Sequence, residues 1–269
     1  MDGRRTPVPR RGALRTAAGV FLAGTTAAGC TPDGTPKPPA PKEQSADSTR
    51  SAEKAHGAVR PAATPRRLPG QPVQIEHGPR DRPRVALTFH GHGDPALARA
   101  VLTEAERTGA RLTVLAVGAW LDQYPGMARR ILDGGHELGN HTQGHLDINA
   151  MDGTRAYEEI TGCAQRLRRL TGSIGTWFRP SRARYATPLV QDLARRAGYP
   201  HVLSYDVDSL DFTSPGVAAV TRKVAGELRN GSVVSLHFGY RDTVAALPLL
   251  LTEIGRRQLR AVTTTELLT

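Results

Sequence analysis

The chain has 269 residues, 39% of them hydrophobic and 23% charged, with a formal net charge of +11. That length allows one large domain with a complete core or two small ones, and two cysteines, Cys30 and Cys163, exclude a disulfide framework. The charge suggests a nucleic-acid partner until it is located: residues 1–30 carry +4, residues 31–70 carry +3, and the remaining 199 hold only +4. The basicity lies in the N-terminal quarter, so nucleic-acid binding is excluded as a function. No apolar segment reaches the roughly eighteen uninterrupted residues that a membrane span needs.

In chain order, Arg10-Arg11-Gly12-Ala13-Leu14-Arg15 precedes an uncharged run from Thr16 to Gly29 that contains Val20, Phe21 and Leu22. A basic stretch before a short, mildly apolar run is the layout of an export signal, and an arginine pair followed by leucine resembles a twin-arginine signal. The run closes in Ala27-Ala28-Gly29-Cys30, which resembles a bacterial lipobox with Ala27 where leucine is usual. Cys30 would then be lipidated; a cleaved secretory signal with an incidental cysteine is the alternative. Residues 31–70 are dense in Pro, Ala, Ser, Thr and Lys, cannot form a core, and read as a disordered, extended tether. The expectation is a lipoprotein held on the outer face of a bacterial cell membrane, with its folded domain at residues 71–269.

From Pro83 onward apolar runs alternate with amphipathic segments. The predicted elements are a strand at 84–89, a helix at 95–108 stopped by Gly109, a strand at 111–117, and helical material to Leu132. A long helix follows at 152–170, with Asp152 available to cap it. Then come a strand at 176–178, a helix at 187–197, a strand at 201–205, a helix at 215–228, a strand at 232–236, a helix at 243–257, and a last strand at 260–263. Continuously apolar strands separated by helices imply a parallel sheet covered on both sides, and six or seven such units suggest a barrel, complete or incomplete. Cys163 falls within the long helix and reads as a small buried apolar residue.

The segment Gly139-Asn140-His141-Thr142-Gln143-Gly144-His145 carries two histidines four residues apart. One helical turn would place both imidazoles on one face, within reach of a single divalent cation. Further polar clusters near residues 90, 179–182 and 206–212, and the lone His237, all follow strand-like runs. Residues gathered from several strand ends are how a parallel β/α fold assembles an active site.

Thr88-Phe89, His141-Thr-x-x-His145, Phe178-Arg179-Pro180, Asp208-x-x-Asp211-Phe212 and Ser235-Leu236-His237 together resemble the five ordered motifs of the polysaccharide deacetylase family, the NodB-homology or carbohydrate esterase family 4 domain. The resemblance covers roughly residues 83–269. It implies a deformed (β/α) barrel and metal-assisted removal of acetyl groups from an N-acetylated glycan. By matching positions, His141 and His145 would be imidazole ligands to a divalent metal ion, zinc or another transition metal. His237 would be the general acid with Asp208 orienting it, and Arg179 would orient the catalytic base.

The first motif departs from the family's Thr-Phe-Asp-Asp-Gly, for this chain reads Thr88-Phe89-His90-Gly91-His92-Gly93-Asp94. His90 stands in the place of the base, and Gly91 in that of the carboxylate ligand. His92 or Asp94 could supply a third ligand, helped by Gly91 and Gly93, with His90 as base. Alternatively His90 itself ligates, and Asp94 or water takes the proton. In the fourth motif Phe212 replaces a usual tryptophan and would wall a sugar ring. In the third, Arg182 and Arg184 stand at the mouth, where an acidic glycan or bulk solvent would meet them.

Three functions remain on these residues. One is an exported, lipid-anchored carbohydrate N-deacetylase acting on cell-wall or extracellular glycan. Another is a glycan-binding lipoprotein of the same fold without turnover. The third is a related hydrolase acting on an O-acetyl or other amide substrate.

Overall fold

The computed structural model describes residues 63–269. In chain order the regular elements are β1 (Gln74–Ile75), β2 (Arg84–Gly91), α1 (Pro95–Arg107), β3 (Thr113–Ala116), α2 (Gly118–Gln123), α3 (Gly126–Asp133) and β4 (Glu137–Asn140). There follow α4 (Gly153–Thr171), α5 (Pro188–Arg196), β5 (Val202–Leu203), β6 (Val207–Asp208), α6 (Val217–Glu227), β7 (Val233–His237), α7 (Arg241–Arg256), β8 (Arg260–Ala261) and α8 (Thr264–Leu268).

The main strands run parallel in the order β4-β3-β2-β7-β6, with β8 beside the start of β2. Phe178 extends this sheet by single bridges to Asn140 and Val202, which leads on to β5 and β1. Beyond β1 the chain pairs antiparallel with the approach to β7, through His77 and Ser232, and Gly78 donates to the Gly231 carbonyl at 2.7 Å. The sheet therefore curls back on itself as a deformed α/β barrel, closed on one side by turns rather than by a full strand.

Side-chain alternation along β2 explains how the barrel is filled. Val85, Leu87 and Phe89 join the outer core with Ala98, Val101 and Leu102 of α1 and Leu247, Leu250 and Ile254 of α7. Ala86 belongs to the inner core with Leu115, Leu203 and Val233. Successive strand residues face opposite sides, so His90 shares the inward face of Ala86. Each fully buried Leu or Phe in the outer layer contributes roughly 1.5–3 kcal/mol, and that layer holds the strand ends in place.

Helix boundaries follow capping chemistry. Asp152 accepts from the Arg155 amide at the start of α4, and Thr187 from Val190 at the start of α5. Gly172 closes α4 at φ +80°, a left-handed conformation that glycine adopts without steric cost.

The strand expected at 176–178 is reduced to the bridges of Phe178. Strand β4 lies inside a segment whose sequence reads as a turn, because Glu-Leu-Gly-Asn offers one apolar side chain. All four of its residues are nevertheless buried, between β3 and Phe178. The export signal, the lipidation site Cys30 and residues 31–62 of the tether lie outside the described residues. The end of the expected tether is packed: Leu68 is buried in the inner core, its amide donates to His201 Nε2 at 2.9 Å, and Ala63 accepts from Ser173. The packed chain thus begins ahead of residue 71.

Candidate active site

Three strand ends and one loop deliver imidazoles to a single place. His90 is the last residue but one of β2, His237 ends β7 in register beside it, and their rings stack with centroids 4.2 Å apart. His141 follows β4 directly, and its Nε2 lies 2.8 Å from His90 Nδ1. His145 completes a triad with His90 and His141 in which the ligand-capable nitrogens all lie within 4.8 Å of one another.

His141 and His145 do not share a helical face, as their spacing suggested. They sit in a loop in which Thr142 and His145 adopt φ of +66° and +56°. Positive φ at a β-branched threonine is strained, and such strain concentrates at functional sites. The loop is held in that shape by buried polar contacts. Asn140 Oδ1 accepts from the Thr142 amide at 2.8 Å, while Asn140 Nδ2 donates to the Ile160 carbonyl at 2.9 Å. Thr142 Oγ1 donates to Ser181 at 3.0 Å and accepts from the His145 amide at 3.2 Å.

The ring nitrogens of His141 have defined roles. His141 Nδ1 faces the Arg179 carbonyl at 3.0 Å; a carbonyl only accepts, so Nδ1 carries the proton and Nε2 presents its lone pair to the triad. His90 Nε2 lies 3.0 Å from Ser235 Oγ. When it donates there, its Nδ1 lone pair joins that of His141. Burial, reinforced by neighbouring histidines, holds His90 and His141 well below the ordinary histidine range, and burial with His92 and Arg182 brings His145 down to about 4. All three are therefore neutral near neutral pH, the form that binds metal.

This donor set fits a divalent transition-metal ion. Nitrogens about 2.0–2.1 Å from one tetrahedral centre sit roughly 3.4 Å apart, inside the range the triad spans. Three imidazoles with an open position are a catalytic rather than a closed structural arrangement.

Arg179 is fully buried beneath His90, with NH1 3.4 Å from His90 Nε2, Nε donating to Leu203 and NH2 to Ser204. Burial brings its guanidinium down to about 10. The side chain thus does reach position 90, where it meets an imidazole instead of a carboxylate.

Two expectations are corrected. Asp94 caps α1, accepting from the Ala96 amide at 2.8 Å, and is not in the triad; the turn at Gly93 carries its carboxylate away. Asp208 does not orient His237. Its Oδ1 accepts from the Leu210 amide at 3.1 Å, whereas Asp211 Oδ1 lies 2.7 Å from His237 Nδ1. Asp211 Oδ2 also accepts from the His237 amide at 2.8 Å and from Thr243 Oγ1 at 2.6 Å. Burial pushes the Asp211 carboxyl up, but the His237 and Thr243 hydrogen bonds outweigh it and hold the group below its ordinary value. Both aspartates were visible in the fourth motif; nothing in a three-residue spacing chooses between them. Ser235 and Thr243 are further site residues that carried no independent signal in sequence.

Above the triad opens a cleft of about 370 Å³ whose lining includes His92, Arg182, Arg184, Asp208, Phe212 and Tyr240. His92 stands on its wall with its ring 4.9 Å from that of His145, outside the triad. Phe212 is exposed and meets His237 edge-on at 5.2 Å.

A family profile described as polysaccharide deacetylase matches residues 77–202. A peptidoglycan-N-acetylglucosamine deacetylase of Bacillus cereus is 31% identical over 194 residues, covering 71% of this chain and 90% of that one. The chain belongs to the polysaccharide deacetylase family. A chitooligosaccharide deacetylase of a Bradyrhizobium species is 28% identical, covering 64% of this chain and 85% of its own. A Listeria monocytogenes peptidoglycan deacetylase is 27% identical, and the match spans 38% of that longer protein. In fold, this polysaccharide deacetylase resembles a carbohydrate esterase family 4 pseudoenzyme from Bacillus anthracis, with a TM-score of 0.69 at 22% identity over 74% of this chain and 70% of the other. It also resembles a family 4 carbohydrate esterase from Streptomyces lividans, with a TM-score of 0.62 at 24% identity over 66% and 91%.

Proposed function

We propose that this chain is a metal-dependent N-deacetylase of an extracellular N-acetylated glycan, with His90, His141 and His145 holding the ion and zinc the preferred metal. The observation that carries this reading is the convergence of three neutral imidazoles beside the His237–Asp211 pair under one cleft. Such an ion, when bound, polarises an acyl carbonyl and acidifies water.

The remaining steps belong to side chains. Asp211 occupies His237 Nδ1 and leaves Nε2 as the nitrogen free to give a proton to the departing amine. The fixed carboxylate stabilises the imidazolium that this role requires. His92 is the cleft-lining imidazole left to take a proton from water. Phe212 and Tyr240, both packed against His237, keep the sugar in place and water out.

Relatives named for peptidoglycan and chitooligosaccharide support a glycan amide as substrate. The arginine pair Arg10-Arg11 and the sequence Ala27-Ala28-Gly29-Cys30 support export and lipid anchoring at Cys30, which would put cell-wall glycan within reach of the domain. Glycan binding without turnover is favoured by one observation: the buried Arg179 meets an imidazole where a carboxylate base would pair with it.

The test is elemental analysis of the full chain and its His141→Ala variant, with acetate release from N-acetylated glycans. Near-stoichiometric metal, lost in the variant, together with acetate release supports the reading. Metal without release favours binding alone, and absence of metal after supplementation overturns the assigned triad.

A further inference from the structure

We propose that the end of the barrel opposite the cleft is a docking face for an anionic lipid surface, with Arg66, Arg67, Arg168 and Arg169 as its contacts. The choice of lipid as occupant rests on the anchoring at Cys30 proposed above; the reading of the active site plays no part in it. Strands β2, β3, β4, β6 and β7 run parallel, and the site histidines lie at or beyond their C-terminal ends. A helix that connects parallel strands runs back against them, so its last turn lies at the other end of the barrel, the base.

Part of the basicity at the base has a local explanation. A cation in the last turn of a helix meets the negative end of the helix dipole. Carboxylates also match several of these arginines: Arg107 pairs with Glu104, Arg130 with Glu106, Arg195 with Asp192 and Arg256 with Glu253. Arg168 and Arg169, in the last turn of α4, are exposed, and among the described residues no carboxylate pairs with either. Arg66 and Arg67 are exposed and unpaired in the same sense, and they belong to no helix, so no dipole accounts for them.

Two anchors bring the arginine pairs to one face. Ser173, just past the end of α4, donates from Oγ to the Ala63 carbonyl at 2.8 Å. The Leu68 amide donates to His201 Nε2 at 2.9 Å, immediately ahead of β5, and the Leu68 side chain is buried in the inner core. The segment between these anchors crosses the base from the end of α4 to the start of β5, with Arg66 and Arg67 exposed upon it.

Two features select the occupant. Guanidinium groups without a protein partner, spread over one face, suit a plane of phosphate groups, where each adds its own attraction. Residues 31–62, which lead from Cys30, join the domain at Ala63 on this same face. A lipid at Cys30 would therefore keep the arginines near the bilayer, and the arginines would turn the cleft away from it, toward extracellular glycan.

The experiment uses the full chain with Cys30→Ser, which removes the thiol that would be acylated, so that docking is read apart from anchoring. Co-sedimentation measures binding to vesicles of phosphatidylcholine alone and of phosphatidylcholine with phosphatidylglycerol. The expected result is binding to the phosphatidylglycerol vesicles only, weakening as salt rises. An arginine near an anionic surface contributes about fivefold, so Arg168→Glu with Arg169→Glu should weaken binding about twenty-fivefold or more, as should Arg66→Glu with Arg67→Glu. Arg155→Glu with Arg241→Glu makes the same change of charge at exposed helix starts on the cleft side. Being far from the docked surface, that pair should cost less than about threefold. Thermal unfolding confirms that each variant is folded. Equal losses in the base and cleft-side variants, or no binding to phosphatidylglycerol by the parent, overturn the proposal. Binding of a soluble glycerol-phosphate polymer through these arginines, without vesicle binding, also overturns it. Hydrogen exchange of the vesicle-bound chain reads the orientation: slowing at residues 63–70 and 168–173 supports it, and slowing around Phe212 and Tyr240 instead overturns it.

Discussion

Asp211 grips His237 at two points, with Oδ1 2.7 Å from ring Nδ1 and Oδ2 2.8 Å from the backbone amide. One carboxylate thus sets both the strand end and the ring that it carries. Thr243, at the start of α7, closes the arrangement by donating to Oδ2. The ring cannot rotate without breaking a buried charge-assisted bond, which is the preorganisation that proton transfer needs.

Replacing Asp211 by Asn should therefore lower kcat about 10²-fold or more, the usual range for general acid–base groups. Asp208→Asn should have a much smaller effect on kcat. The same substitution reports on stability. The folded Asp211 carboxyl lies below its unfolded value of 3.8, so its contribution is present above that pH and disappears as the pH falls through the lower folded value. Urea midpoints of the two proteins should converge in acid and separate at neutral pH.

Metal content distinguishes the triad from its neighbours. Alanine at His90, His141 or His145 should each lower bound metal, because each removes one of three converging nitrogens. Asp94→Ala should leave metal content unchanged and instead cost about 1 kcal/mol through loss of the α1 cap. Elemental analysis and a denaturant curve on each variant check both halves.

The metal-free protein should lose stability on mild acidification. The unfolded chain takes up protons on His145 near pH 6.5, whereas the folded site resists protonation down to about 4. Between those values the unfolded state binds more protons, so stability rises with pH and falls as pH drops through that window. His90 and His141, also held low by burial, steepen the slope. Thermal unfolding of chelator-treated protein at several pH values measures it, and His145→Gln should flatten the dependence.

The ligand loop depends on a glycine in β4. A methyl group at Gly139 would meet the Trp177 carbonyl oxygen at 2.6 Å and Leu115 Cδ1 at 2.7 Å. Gly139→Ala should thus push β4 from Phe178 and cost roughly 1–3 kcal/mol. Because Asn140 and His141 follow directly, metal affinity should fall with stability, which a metal titration of the folded variant detects.

An acidic residue at Gly91 is not a simple repair of the first motif. A Cβ there would meet Val114 Cγ1 at 2.9 Å and the Ala116 Cα at 3.0 Å, in the outer core. Gly91→Asp should lower stability by about 1–3 kcal/mol by overpacking. Metal binding in that variant should still require His90, as comparison with the double substitution with His90→Ala shows.

Sequence by itself determined the alternation of strands and helices, because burial on both faces writes itself as continuous apolar runs and helix starts carry capping side chains such as Asp152 and Thr187. It also placed His141, His145, Arg179 and His237 in one set, since the family's motifs survive in order, and it showed that position 90 had changed. Tertiary structure alone decided that His90 completes the triad, that Asp94 caps a helix, and that Asp211 rather than Asp208 holds His237. The reason is geometric. Which of several nearby polar residues meets another depends on the direction each side chain takes from its backbone, and here that direction is set by the inward alternation of β2, the positive φ of Gly93, Thr142 and His145, and the turn that buries Asp211. None of those directions is written in residue type or spacing. They follow from packing between segments far apart in the chain.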